Sequence, residues 1–440
     1  MLRIITEPTE AKTELRRISD RNYDEHISSQ EASVREIVNQ VKKEGDKALL
    51  AYTEQFDQQK LALEELRVSG SELDAAYQKI SRELLEAIKL ACANIEAFHR
   101  QRVPKSWVNF GEDEIVLGKK YTPVDSAGIY VPGGRASYPS TVLMNVIPAK
   151  VAQVPRIVMV TPPGREDKGI NPAVLVAASE AGVSEIYRVG GAQAIAALAY
   201  GTGTIPQVDV ITGPGNIYVT LAKKMVYGRV GIDSLAGPSE VLIIADEQAN
   251  PVHIATDLLA QAEHDPMASA VLITTDSQIA TQVQISVEQQ LQHHPKRIPT
   301  EKALAHYGLI VVVESLAIAS ELSNLFAPEH LELEVAQPWE LLNSIRHAGA
   351  IFLGNSTPEA VGDYLAGPNH TLPTSGAARY ASPLGVETFM KHSSIIQYSS
   401  QALKKVGKAI EALAQAEGLT SHAESVRVRT QEQQSESSSD

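Results

Sequence analysis

From about residue 115 onward the chain alternates short apolar runs with helical stretches and glycine-rich turns, and no other feature restricts the possible folds so much. The runs cover 128–131, 156–160, 185–189, 208–211, 241–245, 270–274, 309–313 and 350–353, with helical patterns at 194–200, 217–227 and 252–263 between them. A strand–helix–strand rhythm of this kind predicts an α/β protein with open, largely parallel sheets, and this many runs fit two sheets better than one. Ligands bind beyond the carboxyl ends of strands in such sheets, so the loops after the runs carry the functional expectations. A further segment, 325–335, reads LFAPEHLELEV, in which Leu331, Leu333 and Val335 alternate as in a half-buried strand. Pro328 predicts an irregular turn ahead of it, with Ala327 biased towards an extended conformation and Glu329 and His330 within the turn.

Upstream the pattern is helical. Residues 29–57 predict two helices divided at Gly45, and Leu84, Ile88, Ala91, Ile95 and Phe98 form one apolar stripe of a helix over 81–100. Residues 401–429 are helical by pattern with a break at Gly418, and 430–440 are too polar to pack. At 440 residues the chain exceeds one ordinary core. A formal net charge of −14 argues against nucleic acid or an anionic membrane as partner. Cys92 is the single cysteine, so any metal falls to His, Asp, Glu or a side-chain amide. No apolar run is long enough to span a membrane and no signal core opens the chain, so a soluble, cytoplasmic protein is expected.

Three glycine-rich loops follow predicted strands: GIYVPGGRAS (128–137), RVGGAQA (188–194) and VITGPGNIY (210–218). Glycine lets backbone amides approach a ligand, and a following helix N-terminus favours phosphate, although none of the loops completes the dinucleotide fingerprint. Ser239 stands at the entrance of the 241–245 strand. Gln261 and His264, three apart in a helical pattern, share one face and suit two ligands of one metal. Asp363 and His370 lie in glycine-flanked turns, and Glu417, His422 and Glu424 cluster near the C-terminus. Taken singly, each of these is as readily an ordinary turn or a solvated side chain.

Together they resemble the histidinol dehydrogenase family, over roughly residues 20–429. IDSLAGPSEVLIIADEQANPVHIATDLLAQAEH is similar to that family's signature, and GIYVPGG, VGGAQAIAALAYGT, TGPGNIYV, APEHLEL, VGDYLAGPNHTLPT and EGLTSHAESVR to its other blocks, in the same order. The resemblance implies NAD-dependent four-electron oxidation of L-histidinol through L-histidinal to L-histidine, one zinc ion per subunit, and a homodimer with shared sites. It places Gln261, His264, Asp363 and His422 as zinc ligands, and Glu329 and His330 as the acid–base pair. Substrate contacts fall on Ser239, Gln261, His264, His330, Asp363, Glu417 and His422, with His370 nearby. NAD contacts fall on Tyr130, Gln193 and Asn216.

The expected architecture is then two incomplete Rossmann-like open-sheet domains with small N- and C-terminal helical segments in an intertwined homodimer. Its parts are an arm (1–25), a larger domain (26–129 with 240–380), an NAD-facing domain (130–239), a dimer-crossing segment (381–429) and a disordered tail (430–440). The chemistry is consistent with these roles. His330 has the proton affinity to take a hydroxyl proton as hydride leaves, and a buried Glu329 can take one from the water that hydrates the aldehyde. A zinc hydrolase is the alternative, but it has no use for three glycine-rich loops; a two-lobed binding protein would need no Glu–His pair.

Overall fold

A computed structural model describes residues 2–21, 27–133, 138–164 and 169–431. The chain divides into two compact units, Met1–Arg102 with Val124–Phe389, and Val103–Pro123 with Met390–Asp440. Residues 134–137 of the first glycine-rich loop and 432–440 of the expected tail lie outside the described residues.

The first unit contains two parallel sheets, as the sequence rhythm predicts. The larger runs in the order Arg3–Ile5, Gly308–Val312, Ser269–Thr274, Glu240–Ala245, His330–Glu334, Ala350–Leu353. The smaller runs Glu185–Arg188, Arg156–Thr161, Ser126–Tyr130, Val210–Thr212, Gly231–Ile232. Each has a switch point where the chain turns from building one side to building the other, between Glu240–Ala245 and His330–Glu334 in the larger (its edge strand Arg3–Ile5 aside) and between Ser126–Tyr130 and Val210–Thr212 in the smaller. Such switch points open crevices between the loops on either side.

The boundaries differ from those expected. Residues 3–19 are not an arm: Arg3–Ile5 pairs with Leu309–Val311 at the sheet edge, and the helix Pro8–Ser19 buries Ala11, Leu15 and Ile18 against the larger sheet. The mixed, charged composition that suggested an arm belongs to that helix's outer face. The helices Ile27–Glu44 and Asp46–Asp57 pack on the smaller sheet rather than the larger, because Val34, Val38, Val41 and Leu49 share a core with Ile195, Leu198 and Leu221. Gly45 divides them with φ +57°, a conformation that favours glycine.

The His330–Glu334 strand is buried along its whole length, not half-buried, since it has a neighbour on each side and helices on both faces. Leu331, Leu333 and Val335 join the core that holds Leu15 and Phe326. The alternate residues His330, Glu332 and Glu334 therefore point to the other face.

The second unit holds a three-stranded antiparallel sheet, Met390–Gln397, Val116–Pro123, Trp107–Phe110, which the sequence reading missed. Every residue of Trp107–Phe110 is exposed, so the strand carries no in–out alternation to read. Two helices follow, Ser400–Ala416 and Thr420–Gln431, separated at Gly418 with φ +75°. Residues 430 and 431, expected in the tail, continue the second helix. Among the described residues no helix is long and apolar enough to cross a membrane.

Candidate functional site

The turn before His330 is tighter than proline alone predicts. Ala327 is left-handed (φ 56°), not extended, because its N–H closes the preceding helix onto the Ser323 carbonyl at 2.7 Å. Pro328 follows with no N–H to satisfy, and the chain enters the strand at His330. Glu329 and His330 thus stand at the amino end of a parallel strand. The loops after strands, which drew the expectation, do not carry this pair.

Glu240 holds both groups. Its N–H donates to Glu329 Oε2 at 2.9 Å, its carbonyl lies 3.0 Å from His330 Nδ1, and its carboxylate accepts from the Glu329 N–H at 3.3 Å. That carboxylate is fully buried and is paired with Arg21 at 2.8 Å, which in turn donates to the carbonyls of Ile18, Pro238 and Met267. Ser239, half-buried, accepts through its carbonyl from Arg21 and from the Ser269 N–H.

On the other side of the imidazole, His330 Nε2 is 3.7 Å from Glu359 and 3.8 Å from Asp363, and it has no hydrogen-bond partner although buried. Gln261, on the helix Pro251–Ala262, completes the group: with its amide nitrogen turned to the acid it donates to both Glu359 oxygens, at 2.9 and 2.6 Å. Its oxygen is then the terminal atom not engaged by Glu359. His370 Nδ1 lies 3.1 Å from the Asp363 carbonyl. His264 follows the helix rather than lying on it, its N–H returning to the Gln261 carbonyl at 3.2 Å.

Charge and burial shape the proton affinities. Burial pushes Glu329 up to about 8, with the His330 charge pulling it back. Burial alone would lower His330, but the charges of Glu359, Glu329 and Asp363 outweigh it and hold the imidazole well above its usual range. Burial likewise raises Glu359 to about 7. Asp363 goes the other way: burial would raise it, yet the neighbouring His330, with His370 and His264 adding to the effect, keeps it below the ordinary carboxylate range. His330, Glu359 and Asp363 present ligand atoms within 4.8 Å of one another, a spacing a metal ion can bridge. Glu359 was not found from the sequence. The available signal was its position four residues before Asp363, which puts both acids on one face of the helix Glu359–Tyr364.

The smaller sheet gathers the other candidates at its switch point. Tyr130 ends its strand buried, and its hydroxyl accepts from the Gly191 N–H at 3.2 Å. A Cβ on Gly213 (φ +116°) would stand 2.0 Å from the Tyr130 carbonyl oxygen, so the third loop touches the same residue. Gln193 is buried in the first turn of the helix Gly191–Tyr200 with its Oε1 unpartnered. Asn216 is exposed and caps its own helix, accepting from the Tyr218 and Val219 N–H groups. Of these two helices, only Gly191–Tyr200 starts without a side-chain cap. His422 and Glu417 belong to the second unit, where His422 lies in the helix Thr420–Gln431, Glu417 caps Ser400–Ala416, and both side chains are exposed.

Comparison with known proteins identifies the family. The profile of the family described as histidinol dehydrogenase matches residues 20–430. The chain is 75% identical to histidinol dehydrogenase 2 of Trichormus variabilis over 432 residues, covering 98% of this chain and 100% of that one. It is 71% identical to the histidinol dehydrogenase of Thermosynechococcus vestitus, with coverages of 98% and 100%. A crystal structure of histidinol dehydrogenase from Elizabethkingia anophelis superimposes with a TM-score of 0.92 at 39% identity, covering 99% of this chain and 98% of that one. These relatives are dehydrogenases and do not favour the hydrolase reading. Sequence match and fold together make this chain a member of the histidinol dehydrogenase family.

Proposed function

We propose that the protein oxidises L-histidinol to L-histidine through L-histidinal, passing two hydrides in turn to NAD. The observation that carries this reading is His330: a buried imidazole with one nitrogen against the Glu240 carbonyl, the other unpartnered, and Glu329 3.7 Å away. Loss of hydride from an alcohol requires loss of its hydroxyl proton, which falls to the unpartnered Nε2. Hydration of the aldehyde requires a second base, which falls to Glu329. General acid–base help of this kind is worth roughly 10²–10⁴ in rate.

The donor types suit zinc: an amide oxygen from Gln261, a carboxylate oxygen from Asp363 and an imidazole from His264, which feels the Asp363 charge, are ligands a borderline cation accepts. Bound zinc would supply a positive charge that anchors the substrate's ring and amino nitrogens and offsets the carboxylates around His330. His422 as fourth ligand and Glu417 as substrate contact rest on the family resemblance, as does their supply from a partner subunit in a homodimer. Trp107, Phe110 and Ile396, exposed on the second unit's sheet, suit such a partner face. Ser239 and His370 complete the substrate side. Tyr130, Gln193 and Asn216 would face NAD, and the unpartnered Gln193 Oε1 beside glycines with no room for a Cβ fits a ligand held by backbone and amide groups.

The test is NADH absorbance on adding histidinol and NAD, run beside metal analysis of the same preparation. Turnover that tracks one zinc per chain and yields two NADH per histidinol is expected. A zinc-loaded protein that forms no NADH from histidinol would end the reading.

A further inference from the structure

Beyond the centre at His330, a second group of acids lies further along the same strand. Glu332 and Glu334 follow His330 on the same face, and Asp257 reaches them from the helix Pro251–Ala262, four residues before Gln261. The three present carboxylate oxygens within 4.8 Å of one another. Glu334 is only 4% exposed and Glu332 2%. Each has an oxygen, Oε2, that is buried and meets no hydrogen-bond partner, although Glu332 Oε1 accepts from the Glu359 N–H at 3.0 Å. No Lys or Arg among the described residues pairs with any of the three, and the basic group that bears on Asp257 is His253, one turn earlier on the helix. Burial raises Glu334 to about 7 and Asp257 to about 6. Unpaired buried carboxylates of this kind need either protons or a cation.

Position favours a cation. Glu334 is the last residue of its strand and pairs with Ala245, the last of the neighbouring one. This is the carboxyl end of the switch point in the larger sheet, where open α/β sheets bind ligands. The candidate acid–base pair occupies the opposite, amino end. Asp257 is partly exposed and gives the group access to solvent.

We propose that Asp257, Glu332 and Glu334 form a second cation site, distinct from the zinc centre, for a hard divalent ion of the Mg²⁺ class. An all-carboxylate donor set suits such an ion, which keeps several of its waters, whereas the first centre mixes nitrogen with oxygen. The site ties the helix carrying Gln261 to the strand carrying His330. It does not depend on the substrate assigned above.

Mn²⁺, a paramagnetic stand-in for Mg²⁺, is titrated into the full-length protein and bound Mn²⁺ counted by electron paramagnetic resonance. Three proteins are compared: the wild type, Glu334→Gln and His264→Asn. One Mn²⁺ per chain that His264→Asn retains and Glu334→Gln loses at least tenfold in affinity is the expected result. Asp257→Asn, altered at a partly exposed helix position, should repeat the loss if Glu334→Gln folds poorly. Equal Mn²⁺ binding by wild type, Glu334→Gln and Asp257→Asn, or binding abolished by His264→Asn alone, overturns the proposal and leaves the three acids holding protons.

Discussion

The two parallel sheets of the first unit share an architecture but not a chemistry. At its switch point the larger collects buried titratable groups: Glu240, Glu329, His330, Glu332, Glu334 and Glu359. At its own, the smaller offers glycine, a tyrosine hydroxyl and a neutral amide. Its buried ion pair, Lys223 with Asp233, is spent on the backbone: Lys223 donates to the Gly213 carbonyl at 3.1 Å and Asp233 accepts from the Gly213 N–H at 2.8 Å. One sheet keeps its charges available for proton transfer, and the other neutralises them to fix a loop. The contrast matches the proposed division, with acid–base work at one sheet and dinucleotide binding at the other.

Substitutions can break or sharpen that division. His330→Asn should lose turnover by about 10²–10⁴ while binding histidinol normally, measured by steady-state rates beside calorimetric titration. An equal loss of histidinol binding would place the imidazole in recognition instead. Arg21→Ala leaves Glu240 buried without its partner and should cost about 3–5 kcal/mol in urea unfolding. Glu329→Gln should slow histidinal oxidation more than histidinol oxidation. Because burial holds this carboxyl near 8, the wild-type aldehyde step should climb with pH and level off above about 8, and the variant should lack the climb. The same shift has a stability sign. A carboxyl raised from 4.5 to about 8 on folding contributes stability that is full below 4.5 and lost as pH rises through 8, so Glu329→Gln should flatten that decline. Gln193→Ala should raise the KM for NAD by about fivefold, in keeping with one hydrogen bond, and leave the pH profile unchanged. A changed pH profile would show the two sheets are not separate in function.

What the sequence disclosed follows from local pattern. The parallel strands, the division at Gly45 and the break at Gly418 are each written in neighbouring residues. Glu329 and His330 were legible because a proline and an alternating strand flank them. Glu240 and Arg21 were not: their importance lies in hydrogen bonds across 89 and 219 positions, which no periodicity records. Glu332 and Glu334 fall on the side that a half-buried strand leaves to solvent, and alternation alone cannot tell a solvated face from a second buried one. The exposed strand Trp107–Phe110 escaped for the converse reason.

The alternation of His330–Glu334 leaves no tolerance for slippage. One residue inserted after Ala327 would roll the whole segment over. Leucines would then confront Gln261 and Asp257, and an imidazole with two acids would be pressed among Leu15, Leu322 and Phe326. Oxidation chemistry and the acidic cluster would fail in the same stroke, so the spacing between that left-handed alanine and the histidine is a joint inheritance of both.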